Sequence, residues 1–77
     1  MPQDYVLINV ESGGEDDVLL ALEKISNVEE SYFSYGVYDI IIKVKAESME
    51  KLKEMVTCKI RSLNQVRSTL TLIILKD

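Results

Sequence analysis

A single cysteine and the absence of histidine are the features that most constrain this 77-residue chain. A chain this short encloses one small hydrophobic core, and domains near this size often depend on disulfides, a bound metal or oligomerisation for stability. Cys58 has no second cysteine to pair with, and without histidine the common zinc-ligand sets cannot be assembled. The sequence therefore predicts one domain, no metal site, and self-association as the remaining support.

The same absences limit the chemistry. Without histidine or tryptophan, His-based general acid/base catalysis and the Ser-His-Asp and Cys-His nucleophile systems are excluded. We expect no catalytic residues, no cofactor and no enzymatic activity. No apolar run is long enough to span a membrane, and the N-terminus lacks the layout of a signal peptide. A cytoplasmic protein without a membrane partner is the expectation.

Charge argues against direct binding of nucleic acid. Nine Lys and Arg residues stand against thirteen Asp and Glu residues, a net charge of −4, whereas phosphate binding needs clustered positive charge. The distribution is uneven: residues 1–40 hold nine acids and one base, and residues 41–77 hold eight bases and four acids. This asymmetry could order a basic face against an acidic face between subunits, or it could be solvated charge on two helices.

Hydrophobic periodicity predicts six elements in the order strand, helix, strand, strand, helix, strand. Their predicted bounds are 4–11, 15–26, 29–35, 38–46, 49–63 and 65–75. Ser48 is the expected N-cap of the second helix, and the two middle strands read as a hairpin joined at Gly36-Val37. Right-handed crossovers fold this order into a ferredoxin-like βαββαβ plait, an α+β fold with a four-stranded antiparallel sheet and both helices on one face.

The first and last strands are apolar on both faces, although the helices cover only one face of the sheet. We expect Tyr5, Leu7, Ile73 and Leu75 to lie on the uncovered face. An open apolar face of this kind needs a partner. The sequence therefore predicts a dimer joined mainly through the sheets, with larger assemblies possible.

Two polar clusters are candidates for a binding site. The hairpin loop places Gly36, Val37, Tyr38 and Asp39 at one edge of the sheet, although glycine and aspartate also serve ordinary turns. In the last strand, the alternation puts Arg67, Thr69 and Thr71 on the same face as Ile73. Two interpretations stay open: these polar groups line a small water-filled gap between subunits, or Arg67 is an ordinary salt-bridge partner at the start of the strand.

These clusters suit a zwitterion. A carboxylate such as Asp39 can hold an α-ammonium group, and a guanidinium or hydroxyl groups can hold an α-carboxylate. A free amino acid fits that chemistry, although the sequence leaves open whether the two clusters meet. Cys58 is expected on the exposed side of the second helix, where a catalytic role has little support without histidine.

Four segments carry a family resemblance. They are Tyr5-Val-Leu-Ile-Asn-Val10, Gly36-x-Tyr38-Asp39, Ser48-Met-Glu-x-Leu52 and Val66-Arg-Ser-Thr-Leu-Thr71. In this order and at these distances they resemble the effector-binding domain, called the RAM domain, of the Lrp/AsnC transcription regulators. The resemblance covers essentially the whole chain.

The resemblance implies dimers that build into octameric or similar rings, with amino acids bound where dimers meet. It implies that the positions matching residues 36–39 contribute to that site. It also implies that Arg67, Ser68 and Thr69 can complete the site from the last strand, whereas Thr71 is supported by the alternation alone.

Full-length members of the family begin with a helix-turn-helix domain, but here the first strand starts within a few residues of Met1. We therefore expect residues 1–77 to be a stand-alone module without a DNA-binding domain, which senses amino acids, joins full-length regulators or acts as a scaffold. Two alternatives stay open. One is an ACT-type regulatory module with Ser12-Gly13-Gly14 as its loop, and the other is a small dimeric plait enzyme.

Overall fold

The computed structural model describes residues 3–74 and contains the six predicted elements in the predicted order. The strands are β1 (Gln3–Val10), β2 (Val28–Phe33), β3 (Ile40–Val44) and β4 (Val66–Ile74). The helices are α1 (Glu15–Glu23) and α2 (Met49–Met55), and α2 continues into a π-helical turn over Val56–Ile60. Among these residues, neither helix is long and apolar enough to cross a membrane.

The sheet is antiparallel throughout and has the strand order β2-β3-β1-β4. Val6 in β1 lies opposite Ile42 of β3 on one side and opposite Thr71 of β4 on the other. With both helices packed on one face, this arrangement confirms the predicted ferredoxin-like α+β fold. Strand β1 is therefore central, and β2 and β4 are the two edges of the sheet.

The core lies between the helices and the face of the sheet they cover. Its side chains come from alternate positions of the central strands and from the inner stripes of the helices. They are Val6, Ile8, Val10, Val18, Leu22, Ile40, Ile42, Val44, Leu52, Met55, Val56 and Ile60. No polar or charged side chain is buried among the described residues, so packing of apolar groups supplies this part of the stability.

The turn between β1 and α1 depends on two glycines with different requirements. Gly13 has a φ of 88°, in the left-handed region that favours glycine. Gly14 has an ordinary φ of −98°, but a Cβ there would lie 2.8 Å from the side chain of Gln65. Close packing of the Gln65 side chain against this turn therefore favours glycine at position 14.

Helix α2 begins as predicted, with the Ser48 hydroxyl accepting a 3.2 Å hydrogen bond from the backbone N–H of Lys51. Its last turn widens, because the backbone N–H of Arg61 donates to the carbonyl of Val56, five residues earlier. Val56 and Ile60 are both buried in this wider turn. The helix therefore ends with its apolar stripe still directed into the core.

The face of the sheet turned away from the helices, which we call the open face, carries apolar side chains that are half-buried or exposed. They are Tyr5, Leu7, Tyr32, Ile41, Leu70, Leu72 and Ile74. The prediction for Tyr5 and Leu7 is confirmed, and Leu75 lies outside the described residues.

The expectation for Ile73 is wrong. Ile73 packs against the core on the helix-covered face, and Leu70 and Leu72 lie on the open face in its place. Both alternating sets of β4 contain large apolar side chains, and the set with Ile73 also carries Thr69 and Thr71, so the pattern alone does not show which set faces the helices. The pairing of Thr71 with the buried Val6 fixes the choice.

Candidate functional site

The loop between β2 and β3 spans residues 34–39, wider than the tight turn expected at Gly36-Val37. Its ends are joined by a 2.8 Å hydrogen bond from the N–H of Ser34 to the carbonyl of Asp39. The N–H of Asp39 in turn donates to the carbonyl of Ile8 at 3.0 Å. The base of the loop is therefore anchored to the central strand as well as to its own two strands.

The Asp39 carboxylate has a structural contact. Its Oδ2 accepts a 2.9 Å hydrogen bond from the backbone N–H of Val10, at the end of β1. The side chain is only partly buried, and Oδ1 has no hydrogen-bond partner among residues 3–74. One oxygen therefore holds the loop to the sheet, and the other is available to a ligand.

Arg67 owes its position to an irregularity in the pairing of β1 with β4. Asn9 lies opposite Ser68, but the next residue, Val10, lies opposite Val66, so Arg67 is an extra residue in β4. Bulges of this kind redirect a side chain out of the regular alternation. The guanidinium is exposed and forms no ion pair with any described residue.

Two adjoining cavities lie at this end of the sheet and share Val10, Asp39 and Arg67; we call them together the end groove. The first cavity, of about 570 Å³, is lined by Val10, Ser12, Glu15, Asp16, Phe33, Ser34, Tyr35, Asp39 and Arg67. The second cavity, of about 390 Å³, is lined by Asn9, Val10, Val37, Asp39, Arg67 and Ser68. Both volumes fall in the range of small-molecule sites.

The structure brings four of the predicted site residues together, since Val37, Asp39, Arg67 and Ser68 all line the end groove. The antiparallel sheet explains the meeting: β3 and β4 both begin where β1 ends, so the two predicted clusters share one end of the sheet. Residues of the hairpin loop and of the last strand therefore do approach each other within one chain.

The other four predicted residues do not line the groove. Gly36 and Tyr38 belong to the same loop as Asp39. Thr69 and Thr71 are half-buried on the helix-covered face, opposite Ile8 and Val6, so they are not on the open face as expected. The reason is the register of β4 that also places Ile73 over the core.

Most of the wall of the first cavity consists of residues outside the predicted site. Ser12, Glu15 and Asp16 come from the turn after β1 and the start of α1, and Phe33 and Tyr35 come from the hairpin. Strand topology was the available signal, because in the predicted plait the β1–α1 turn and the hairpin lie at the same end of the sheet. The predicted site included the hairpin loop and the last strand but not the β1–α1 turn.

The groove contains the negative charge of Asp39 and the positive charge of Arg67, and these two side chains form no ion pair with each other. Among the described residues, an ion pair joins Lys43 Nζ to Glu30 Oε2 at 4.0 Å, and it lies on the open face, outside the groove. No group of three or more Cys, Asp or Glu residues there is placed to hold a metal ion. The charged groups that line the groove are the carboxylates of Glu15, Asp16 and Asp39 and the guanidinium of Arg67.

Cys58 is exposed, as the helical pattern predicts. It lies beside Lys59 on a shallow cavity of about 200 Å³. The Lys59 ammonium donates to Asn27 Oδ1 at 3.2 Å.

A model of the family described as the Lrp/AsnC ligand binding domain matches residues 4–77. The chain is also 37% identical over 59 residues to the regulatory protein AsnC of Escherichia coli (strain K12), a match that covers 77% of this chain and 39% of that protein. The chain spans less than half the length of the curated relatives it matches.

Solved structures give the same result. The crystal structure of FFRP-DM1 is 32% identical with a TM-score of 0.90, and the match covers 97% of this chain and all of that one. The feast or famine regulatory protein from M. tuberculosis, complexed with L-methionine, is 28% identical with a TM-score of 0.83, over 100% of this chain and 52% of that one. From the matched residues and the shared fold, the chain belongs to the Lrp/AsnC ligand-binding domain family.

Proposed function

We propose that this domain binds a free α-amino acid in the end groove and serves as an effector-sensing module of a regulatory assembly. The observation that carries the proposal is the placement of Asp39 Oδ1 and the Arg67 guanidinium in one groove, neither of them paired with another described residue. The L-methionine bound to the related M. tuberculosis protein supports the same ligand class.

The two groups suit the two ends of a zwitterion. Oδ1 of Asp39 accepts hydrogen bonds from the α-ammonium group, while the planar guanidinium of Arg67 donates a pair of hydrogen bonds to the α-carboxylate. Asp39 is held in place through Val10, so its free oxygen is positioned before the ligand arrives. Val37 and Ser68 flank the pair in the second cavity.

The proposed role is recognition without catalysis. Neither cavity contains a nucleophile paired with a base, and the chain has no histidine to act as one. Ligand binding would instead change how the domain associates. Amino acids are thereby sensed, and full-length Lrp/AsnC-type regulators are the proposed recipients of the signal.

The open face supports a proposal of assembly. Leu70, Leu72 and Ile74 of β4 are 41–49% exposed, and they form a continuous apolar surface with Leu7 and Ile41. A second copy facing this surface would bury it, which favours a dimer. Dimers would then build into an octamer or a similar ring.

A thermal-shift screen of the twenty amino acids, at constant protein concentration, tests the binding proposal. A ligand that binds only the folded state raises the Tm, with about 2.7 kcal/mol gained at a hundred times its Kd. The best ligand is then compared with its methyl ester and its des-amino analogue, each of which lacks one charged end.

Arg67→Gln removes the proposed carboxylate donor, and Arg61→Gln is the matched control because Arg61 is exposed but lies outside the groove. We expect Arg67→Gln and both analogues to lose the shift, and Arg61→Gln to keep it. If none of the twenty amino acids raises the Tm at millimolar concentration, the binding proposal is wrong.

A further inference from the structure

The first cavity holds more negative charge than a neutral amino acid can balance. Three carboxylates line it, Glu15, Asp16 and Asp39, against the single guanidinium of Arg67. None of the four forms an ion pair with another residue in the 3–74 range. If an α-ammonium group meets Asp39 and an α-carboxylate meets Arg67, the charges of Glu15 and Asp16 remain unbalanced within the same cavity.

The two remaining carboxylates are accessible from the cavity. Glu15 uses Oε1 to accept a 3.0 Å hydrogen bond from the N–H of Gly13, which leaves its other oxygen for a ligand. Asp16 is exposed and has no recorded hydrogen-bond partner in the described chain. Both project from the first turn of α1, next to the tight turn at Gly14.

Acidic residues at a helix N-terminus have an ordinary explanation, since they interact favourably with the helix dipole. Asp17 is part of the same acidic first turn and shares that explanation, but it does not line the cavity. Both residues can stabilise the helix, but only Asp16 lines the cavity. Comparing variants of Asp16 and Asp17 therefore distinguishes a ligand contact from stabilisation of the helix.

Two aromatic residues border the same cavity. Phe33 is 48% exposed and Tyr35 is fully exposed, and both line the first cavity. The face of an aromatic ring attracts a cation, and this attraction adds to that of nearby carboxylates. This is a second feature, independent of the acids, that favours a positively charged group in this cavity.

We infer that the preferred ligand of the end groove is an α-amino acid with a positively charged side chain, whose charged end lies at Glu15 and Asp16. The inference rests on the proposed amino-acid function and specifies the ligand class of that same site. Serine hydroxyls from Ser12 and Ser34, which also line the cavity, can accept the remaining hydrogen bonds of an ammonium or guanidinium group.

The experiment compares ligands matched in size but not in charge: L-lysine with L-norleucine, and L-arginine with L-citrulline. Affinities are measured by isothermal titration calorimetry at low ionic strength, because salt weakens contacts between exposed charges. We expect the charged member of each pair to bind roughly fivefold or more tightly, as expected for contacts with two exposed carboxylates.

Asp16→Asn and the double variant Glu15→Gln/Asp16→Asn remove charge with little change in shape. We expect them to lower the affinity for lysine towards that for norleucine and to leave norleucine binding unchanged. Asp17→Asn, which reduces the charge of the same helix turn outside the cavity, should preserve the preference. Asp16→Glu keeps the negative charge, and we expect it to keep the preference for lysine over norleucine.

The outcomes separate this inference from the proposed function. If neutral amino acids bind as tightly as their charged counterparts, and Arg67→Gln abolishes both, the site is real and the charge preference is wrong. A lysine preference that is unchanged in the double variant, or lost equally in Asp17→Asn, also overturns the inference. Absence of binding by any amino acid overturns the proposed function itself.

Discussion

The carboxylate of Asp39 accepts a 2.9 Å hydrogen bond from the backbone N–H of Val10, and this contact joins the β2–β3 loop to the end of β1. Val10 is also the residue at which the pairing with β4 shifts register and displaces Arg67 from the regular alternation. The same position therefore fixes both charged groups of the proposed site. Asp39 thus has a structural contact and a proposed binding role, and substitution can separate the two.

Asp39→Asn should separate them. The asparagine side chain keeps an oxygen that can accept from Val10 but loses the negative charge offered to an α-ammonium group. We expect nearly unchanged stability and loss of the amino-acid-induced Tm shift. Asp39→Ala should also lose about 1–2 kcal/mol of stability, because a partly buried N–H is left without its partner.

Chemical denaturation of both variants, together with calorimetric titration, provides the measurement. If Asp39→Asn binds the ligand as well as the wild type does, the carboxylate is structural only. Equal loss of stability in the two variants would mean that the charge, rather than the acceptor oxygen, holds the loop.

The turn before α1 offers a test of packing. A Cβ at Gly14 would lie 2.8 Å from Cδ of Gln65 and 3.0 Å from its Cβ, although the backbone angles of Gly14 suit alanine. We expect Gly14→Ala to cost about 1–3 kcal/mol through overpacking. In a Gln65→Ala background the added methyl group would no longer meet the Gln65 amide, so the cost should fall.

A double-mutant cycle by urea denaturation measures this coupling. The interpretation fails if Gly14→Ala costs the same in both backgrounds, since the loss would then arise from the backbone rather than from the contact with Gln65.

Element order and topology were predictable because the periodicity of the apolar residues changes clearly between strands and helices. The Ser48 cap and the stripe through Leu52 and Ile60 also followed from local spacing. Local patterns carry this information because the side-chain periods of helices and strands, about 3.6 and 2 residues, appear in short stretches of sequence.

The faces of β4 were not predictable in the same way. Thr69, Thr71 and Ile73 alternate with Leu70, Leu72 and Ile74, and neither set is polar enough to identify the solvent side. Register against β1 decides, and register is a long-range property. The contribution of Ser12, Glu15 and Asp16 to the groove was missed for the same reason, since it depends on how separate turns meet at one end of the sheet.

A tyrosine on the open face should titrate unusually. The Tyr32 hydroxyl donates a hydrogen bond to the Glu30 carboxylate, which mainly accounts for a pKa raised above the ordinary 10.0. Because the pKa of the folded state is the higher one, the contribution of this bond to stability is complete below about pH 10 and is lost as the pH rises through the folded-state pKa.

Ultraviolet titration of tyrosine ionisation checks this, with the Tyr32→Phe protein identifying the contribution of this residue. We expect Glu30→Gln to bring the pKa of Tyr32 back towards its ordinary value. Glu29→Gln is the control, since Glu29 is an exposed neighbour on β2 that is not among the causes of the shift. An equal change in both variants would contradict the assigned hydrogen bond.

The open face gives the clearest test of assembly. Leu72 is 41% exposed, lies opposite Tyr5 and belongs to the apolar part of the open face, so a lysine there would place an unpaired charge in the proposed interface between copies. Burying such a charge costs several kcal/mol, which weakens association at least about a hundredfold. We therefore expect the wild type to sediment as a dimer or larger species at micromolar concentration and Leu72→Lys to sediment as a monomer.

Leu20→Lys is the matched control, because Leu20 is 58% exposed but belongs to α1 rather than to the sheet. It should leave the sheet-mediated dimer intact, since its charge stays outside that interface. The monomeric Leu72→Lys protein should also melt at a lower temperature, because the apolar surface of β4 then remains in water. A monomeric wild type, or a Leu72→Lys protein that assembles as the wild type does, would show that the open face is not where copies of this chain meet.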